Sequence, residues 1–210
     1  MPEVSLTELV TAVRAGELVS FPTDTVPALA AQPEAGDRIY TAKERSPDKP
    51  LILMGASLDD LLPYMTGTDD ELAQWSAIAA QYWPGALTLV LPASRRLPAA
   101  MNPQNTGTIG LRVPDHPLAR HLLGHTGPLA TTSANRSGQP PLETMRAIAA
   151  SFPQVFTLAV AAQAEIYGAI GGELPPDDQP QGSGRPSTVA RWQKGGWEIL
   201  RSGAVALPSP

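Results

Sequence analysis

With 210 residues, 42% of them hydrophobic and 17% charged, the chain is long enough to bury a substantial core and short enough to form one domain. A formal net charge of −5 argues against a general polyanion-binding surface, and the lack of cysteine excludes a disulfide framework, a thiol nucleophile and a cysteine-ligated zinc site. The first residues carry neither a basic region nor an apolar run, and no stretch reaches membrane-spanning length, so the expectation is a soluble, cytoplasmic protein with no membrane partner.

The first predicted element is a helix over 5–15, where Ser5 caps, Glu8 follows three residues later and Leu6, Leu9, Val10 and Val13 share a face. Gly16 stops it, and a short β-rich run over 18–21 ends at Pro22, which leaves Thr23, Asp24 and Thr25 in a loop just past a strand. A helix over 37–43 delivers Lys43 and Arg45 at its C-terminal end, and 50–54 reads as a buried strand. Helices follow over 57–64 and 69–82, the second capped by Asp69 or Asp70, and Trp83 opens a turn. Strands over 87–91 and 108–113 precede a short helix over 116–123, a strand over 129–132 and a helix over 144–152. Residues 155–161 carry no firm assignment, 168–186 read as a Gly- and Pro-rich loop, and 187–191 with 197–201 form a closing hairpin. Strands and helices without strict alternation predict an α/β (α+β) domain with a twisted, mixed, open sheet flanked by helices. The expected extent is 1–203, with a C-terminal tail over 204–210.

Three segments concentrate hydroxyls, amides and fixed positive charge: 20–26, 43–51 and 131–140. Hydroxyls and amides grip small polar ligands and Lys or Arg holds phosphate, so the combination suggests activation of a metabolite by a nucleotide. Lys43, Arg45 and Lys49 can surround one polyphosphate once Pro47 and Pro50 take the chain out of the helix; as a charge run they equally describe a solvated loop. Ser133 and Asn135 follow a predicted strand, where they can meet a ligand or simply close an Asx or Ser turn. His116, His121 and His125 lack carboxylate partners at metal-site spacing, so no metal site is expected from them. No Walker A sequence, Rossmann fingerprint or nucleophile elbow is present.

Taken in order, Phe21-Pro-Thr-Asp-Thr-Val26, Ala42-Lys-Glu-Arg45 with Lys49-Pro-Leu51, Trp83-Pro-Gly-Ala-Leu-Thr88, Gly110-Leu-Arg-Val-Pro-Asp-His-Pro117, Thr132-Ser-Ala-Asn135, Ser187-Thr-Val189 and Leu200-Arg-Ser-Gly203 resemble the YrdC-type L-threonylcarbamoyladenylate synthase family, in its short, single-domain form. The resemblance implies a twisted sheet with a concave cavity. It also implies a reaction of L-threonine, bicarbonate or CO2 and ATP, with Mg2+, that yields threonylcarbamoyl-AMP and pyrophosphate for a downstream tRNA threonylcarbamoyl-transferase complex. Carried over by position, Arg45, Lys49, Thr108, Ser133, Asn135, Pro141 and Arg201 fall on the ATP side, with Lys43 and Arg45 as the catalytic cations. Thr25, Arg112, Thr131 and Ser187 fall on the threonine side, where the Arg112 guanidinium suits a carboxylate. The chain departs from the family's usual pattern at Pro27-Ala28, where Tyr-Gly is common, and at Met54, where a His is common.

Two alternatives remain at this stage. Carbamoyl-adenylate formation occurs in a related domain of larger, cysteine-containing maturation proteins, and this chain has no cysteine. A noncatalytic RNA-binding or ribosome-maturation factor could use the cationic segment for weak RNA contact, against the acidic net charge.

Overall fold

Alternation of large apolar residues with small or polar ones builds the main sheet of this computed structural model, which describes residues 1–176, 179–180 and 182–207. Parts of the predicted 168–186 loop (177, 178 and 181) and of the predicted tail (208–210) lie outside the described residues. The strands are β1 (Glu3–Val4), β2 (Val19–Phe21), β3 (Ala28–Ala31), β4 (Ile52–Met54), β5 (Leu87–Pro92), β6 (Thr108–Arg112), β7 (Leu129–Ser133), β8 (Thr157–Leu158), β9 (Thr188–Gln193) and β10 (Gly196–Arg201). The helices are α1 (Leu6–Arg14), α2 (Gly36–Lys43), α3 (Leu58–Leu61), α4 (Asp69–Tyr82), α5 (Pro117–Thr126), α6 (Met145–Ser151) and α7 (Val160–Ala169).

Among the described residues, eight strands pair in the order β10-β9-β5-β6-β4-β7-β3-β2, and β1 pairs with β8 in a small separate sheet. The β4/β6 and β5/β9 pairs are parallel and the others in the large sheet antiparallel, so the sheet is mixed, as the sequence predicts. Leu29, Leu53, Leu89, Leu111, Ala130 and Ala190 point to one face and pack with Trp75 and Ala79 of α4 and Met145 and Ile148 of α6. Period-2 alternation sends Phe21, Ala28, Ala30, Met54 and Leu129 to the other face, against Leu9 and Val13 of α1, Leu118 and Leu122 of α5, and Ile166 and Tyr167 of α7. The same alternation puts Thr108, Gly110 and Arg112 together on β6, opposite the buried Ile109 and Leu111.

Three local features differ from the sequence reading. β3 is a strand of Ala28, Leu29, Ala30 and Ala31, all buried; alanine has poor strand propensity, and here its small volume lets helices pack on both faces. α7 forms over residues left partly unassigned, because its N-cap, Ala159, supplies no side-chain capping bond as a start signal. α4 is capped by Thr68 rather than by Asp69 or Asp70: Thr68 and Glu71 make a reciprocal capping box, and the two aspartates occupy the first turn, where the helix dipole favours them. The β9–β10 hairpin forms as expected, with Lys194 and Gly195 both at positive φ in its two-residue turn. After β10 the chain turns back along β9, where Ala204 donates to the Pro186 carbonyl and Val205 to the Thr188 hydroxyl.

Candidate active site

A cavity of about 150 Å³ opens on the sheet face shared by Ile52, Met54, Arg112 and Thr131. Strand pairing builds its floor. Ile52 lies opposite both Gly110 and Thr131, so three strand segments far apart in sequence present side chains at one level. Gly110 keeps that level open: a Cβ there would meet Thr88 Cγ2 at 3.3 Å and Ile52 Cγ1 at 3.4 Å.

The loop between β2 and β3 forms the wall beside Arg112. Thr23 donates its hydroxyl proton to the Val26 carbonyl at 2.7 Å, which leaves its oxygen to accept from Thr25, 3.1 Å away. Thr25 in turn accepts from Arg112 Nη1 at 2.8 Å. Arg112 also donates from Nε to the Gly85 carbonyl at 3.0 Å and from Nη2 to the Asp24 carboxylate at 2.6 Å. Only 5% of the Arg112 side chain and 15% of the Asp24 side chain are exposed. Burial draws the Arg112 guanidinium down from its ordinary value, and the Asp24 charge and hydrogen bond push back. Residues 182–184 strap over this loop: Ser183 and Gly184 donate to the Asp24 and Thr25 carbonyls. A Cβ on Gly182, at φ 81°, would lie 2.4 Å from the Thr23 carbonyl oxygen, so close approach and left-handed backbone both require glycine there.

Two further guanidiniums reach the cavity. Arg45 is anchored by Nε and Nη2 to the Lys49 carbonyl at 3.2 and 3.0 Å, by Nη2 to the Pro50 carbonyl at 3.3 Å, and by Nη1 to Thr132 Oγ1 at 3.4 Å. Arg201 donates from Nε and Nη2 to the Ser187 carbonyl at 3.1 and 2.8 Å, and Ser187 Oγ lies 2.9 Å from Thr88 Oγ1. Burial, then the nearby Arg112, lowers the Arg201 guanidinium from its ordinary value.

Of the residues singled out in the sequence, Thr25, Arg45, Arg112, Thr131, Ser133, Ser187 and Arg201 line this one cavity. Lys43, Lys49, Thr108, Asn135 and Pro141 are not among its lining residues. The Lys49 side chain is exposed, and its carbonyl holds Arg45. Thr108 sits at the far end of β6, its hydroxyl 3.2 Å from Thr106 Oγ1. Lys43 is 1% exposed, and burial first, then Arg45, pushes its ammonium down to about 7. Met54 and Ala28, the two departures from the family pattern, both line the cavity and make that part of the wall apolar. Asp24, which the sequence places in a loop past a strand without a partner, pairs with Arg112, 88 positions away, and only sheet closure brings the two together.

A family model for Sua5/YciO/YrdC, described as telomere recombination, matches residues 11–172. The threonylcarbamoyl-AMP synthase of Chromohalobacter salexigens is 34% identical over 200 residues, covering 93% of this chain and 96% of that protein. The threonylcarbamoyl-AMP synthase of Bacillus subtilis is 36% identical over 92% of this chain, which spans 51% of that longer protein. The crystal structure of P. abyssi Sua5 complexed with L-threonine superposes with a TM-score of 0.77 at 29% identity, over 96% of this chain and 55% of that one.

Proposed function

The chain belongs to the Sua5/YciO/YrdC family, and from that premise we propose that it makes threonylcarbamoyl-AMP and pyrophosphate from L-threonine, bicarbonate or CO2, and ATP, as a nucleotidyltransferase that supplies a tRNA-modifying transferase complex. The observation that carries this reading is the convergence of Arg45, Arg112 and Arg201 with the hydroxyls of Thr25, Thr131, Ser133 and Ser187 on one cavity that has no carboxylate among its described lining residues. Such a cavity suits one ligand with several anionic groups, or two anionic ligands side by side.

In this reading Arg112 takes the threonine carboxylate through the N–H groups it does not spend on Gly85, Thr25 and Asp24, and Thr25, Thr131 and Ser187 set the amino acid's orientation. The threonine nitrogen, as free amine, bonds to the carbon of CO2 and loses a proton, giving a carbamate. A carbamate oxygen then bonds to the α-phosphorus of ATP, and the bond to the β-phosphate oxygen breaks with release of pyrophosphate. Arg45 and Arg201 hold the phosphate chain in line and offset the charge that builds on the leaving group, so positioning and fixed charge dominate over side-chain nucleophilicity.

Among the described residues, no group of three or more His, Cys, Asp or Glu side chains is arranged to hold a metal. Mg2+ fits this reading as part of the ATP substrate, bound mainly by phosphate oxygens and water.

Pyrophosphate release by the purified chain with ATP, Mg2+ and bicarbonate, scanned across all amino acids, tests the proposal. Dependence on threonine is expected, and Arg45→Ala should reduce kcat/KM at least about tenfold through lost charged hydrogen bonds. Absence of dependence on any amino acid, together with salt-sensitive RNA binding, would support the noncatalytic alternative instead.

A further inference from the structure

We infer that Lys43 is a positioning residue for the turn over 133–135 beside the cavity, rather than a cation that touches ligand; this deepens the ATP-using reading above and rests on it for its kinetic arm. Lys43 is not among the residues lining the cavity, and its ammonium points into three oxygens: the Ser133 and Asn135 carbonyls and, at 3.3 Å, Asn135 Oδ1. Protonated, as three oxygens around it favour, the lysine has three N–H donors, and all three have acceptors. No donor is left to reach a phosphate.

The backbone of the same residue grips the other end of the turn, since Ser137 donates its N–H to the Lys43 carbonyl at 2.9 Å. The neighbours add two further ties: Glu44 pairs with Arg136, and Arg45 Nη1 reaches Thr132 Oγ1 at 3.4 Å. Glu44 sits at φ 52°, the left-handed end of α2, which allows Lys43 to point inward while Arg45 turns to the cavity. The C-terminal end of α2 and the loop over 132–137 thus form one clamp with Lys43 at its centre.

The clamp sets the chemistry that Ser133 offers. Asn135 Nδ2 donates to the Arg136 and Gln139 carbonyls at 2.8 and 2.7 Å, which fixes its Oδ1 towards Lys43 and Ser133. Ser133 Oγ donates to that Oδ1 at 2.6 Å. Its hydroxyl proton is thereby committed, and Ser133 presents lone pairs to the cavity. It accepts from a ligand N–H or O–H and does not donate to a phosphate oxygen. Without the ammonium, Oδ1 and the two carbonyls each lose a donor, leaving Oδ1 the Ser133 hydroxyl and the Ser133 carbonyl the Asn135 N–H, and the position of Ser133 is loosened.

The test compares wild type with Lys43→Met, an apolar residue of similar length. In the folded variant, hydrogen exchange should rise in peptides covering 132–142 and stay unchanged in β5, β6 and α4. The KM for ATP should rise at least about tenfold, with kcat within roughly threefold of wild type. Combining Lys43→Met with Asn135→Ala should add little to the worse single variant, because both act through one turn. A large fall in kcat with unchanged ATP affinity would overturn the inference, and so would unaltered exchange over 132–142.

A second measurement needs no variant. When ATP is titrated into wild-type protein, the 15N signal of Arg45 should move and that of the Lys43 ammonium should not; an equal shift at Lys43 would show direct contact and refute the proposal. If wild type releases no pyrophosphate with any amino acid, the functional reading falls, and the exchange comparison alone still decides for or against the clamp.

Discussion

Replacing Asp24 by Asn removes a charge from the most enclosed ion pair among the described residues while keeping side-chain volume. Breaking a buried pair by removing one partner costs about 3–5 kcal/mol. Arg112 keeps two acceptors, Thr25 Oγ1 at 2.8 Å and the Gly85 carbonyl at 3.0 Å, and the 15% exposure of Asp24 admits some water. Both push the expected loss to the lower end, about 3 kcal/mol. For a chain of 210 residues the unfolding entropy is about 0.44 kcal/mol/K, so the melting temperature should fall by about 7 °C. Scanning calorimetry and urea titration read both quantities. If Arg112 binds a substrate carboxylate, saturating L-threonine should restore more stability to Asp24→Asn than it adds to wild type, since the ligand then supplies the missing anion. Adding Arg112→Met to Asp24→Asn should return part of the loss, as the stranded cation is gone. A melting point within about 2 °C of wild type for Asp24→Asn would refute the argument that this pair holds the β2–β3 loop to the sheet.

Two other substitutions probe the frame around the site. In Gly203→Ala the new Cβ would lie 2.4 Å from the Pro186 carbonyl oxygen and 2.4 Å from Ser187 carbonyl carbon, both rigid backbone. The segment after β10 must shift, taking Arg201 with it; a stability loss of about 1–3 kcal/mol by urea titration and weaker ATP affinity are expected, and wild-type values of both would contradict the contact. The His116 imidazole caps α5 by accepting from the Ala119 N–H, which requires a neutral ring, and burial holds its pKa below the ordinary value while Asp24 and Asp115 oppose the shift. The unfolded chain therefore takes up this proton first as pH falls below about 6.5, so stability should decline from that pH downward. His116→Asn retains a capping oxygen without a titrating ring and should flatten the decline; identical slopes in the two proteins would exclude His116 as its source.

The strands and helices that carry strong periodicity were readable one by one, and so was the polar character of the segments at 20–26, 43–51 and 131–140. Alternation along β6 even separates Thr108, Gly110 and Arg112 from the core-facing Ile109 and Leu111. What the chain order conceals is adjacency. β3 pairs with β7 and β7 with β4, which is antiparallel to it and parallel to β6, so Thr25, Thr131, Ile52 and Arg112 meet only after the sheet closes. The depth of a cation is equally hidden. Lys43, Arg45 and Lys49 look alike in the sequence, yet one is buried in carbonyls, one lines the cavity and one lies on the surface. β3 escaped notice for a related reason: its alanines answer to the space between two packed layers, which no local propensity records.

The three guanidiniums also differ in how they are held, and that difference bears on which ligand each takes. Arg45 and Arg201 are fixed by neutral carbonyls, of Lys49 and Pro50 in one case and Ser187 in the other, so their orientation is set without cancelling charge. Arg112 is fixed by a carboxylate as well as by neutral oxygens, so much of its charge is already answered before any ligand arrives. A group with several negative charges gains most from the first kind of cation, and one carboxylate that needs direction more than attraction is well served by the second. This electrostatic difference, independent of sequence order, favours our proposal that the phosphate chain lies with Arg45 and Arg201 and the amino-acid carboxylate with Arg112. The apolar wall at Ala28 and Met54 then faces the amino-acid end, which makes the amino-acid scan, rather than the nucleotide requirement, the more discriminating assay for this chain.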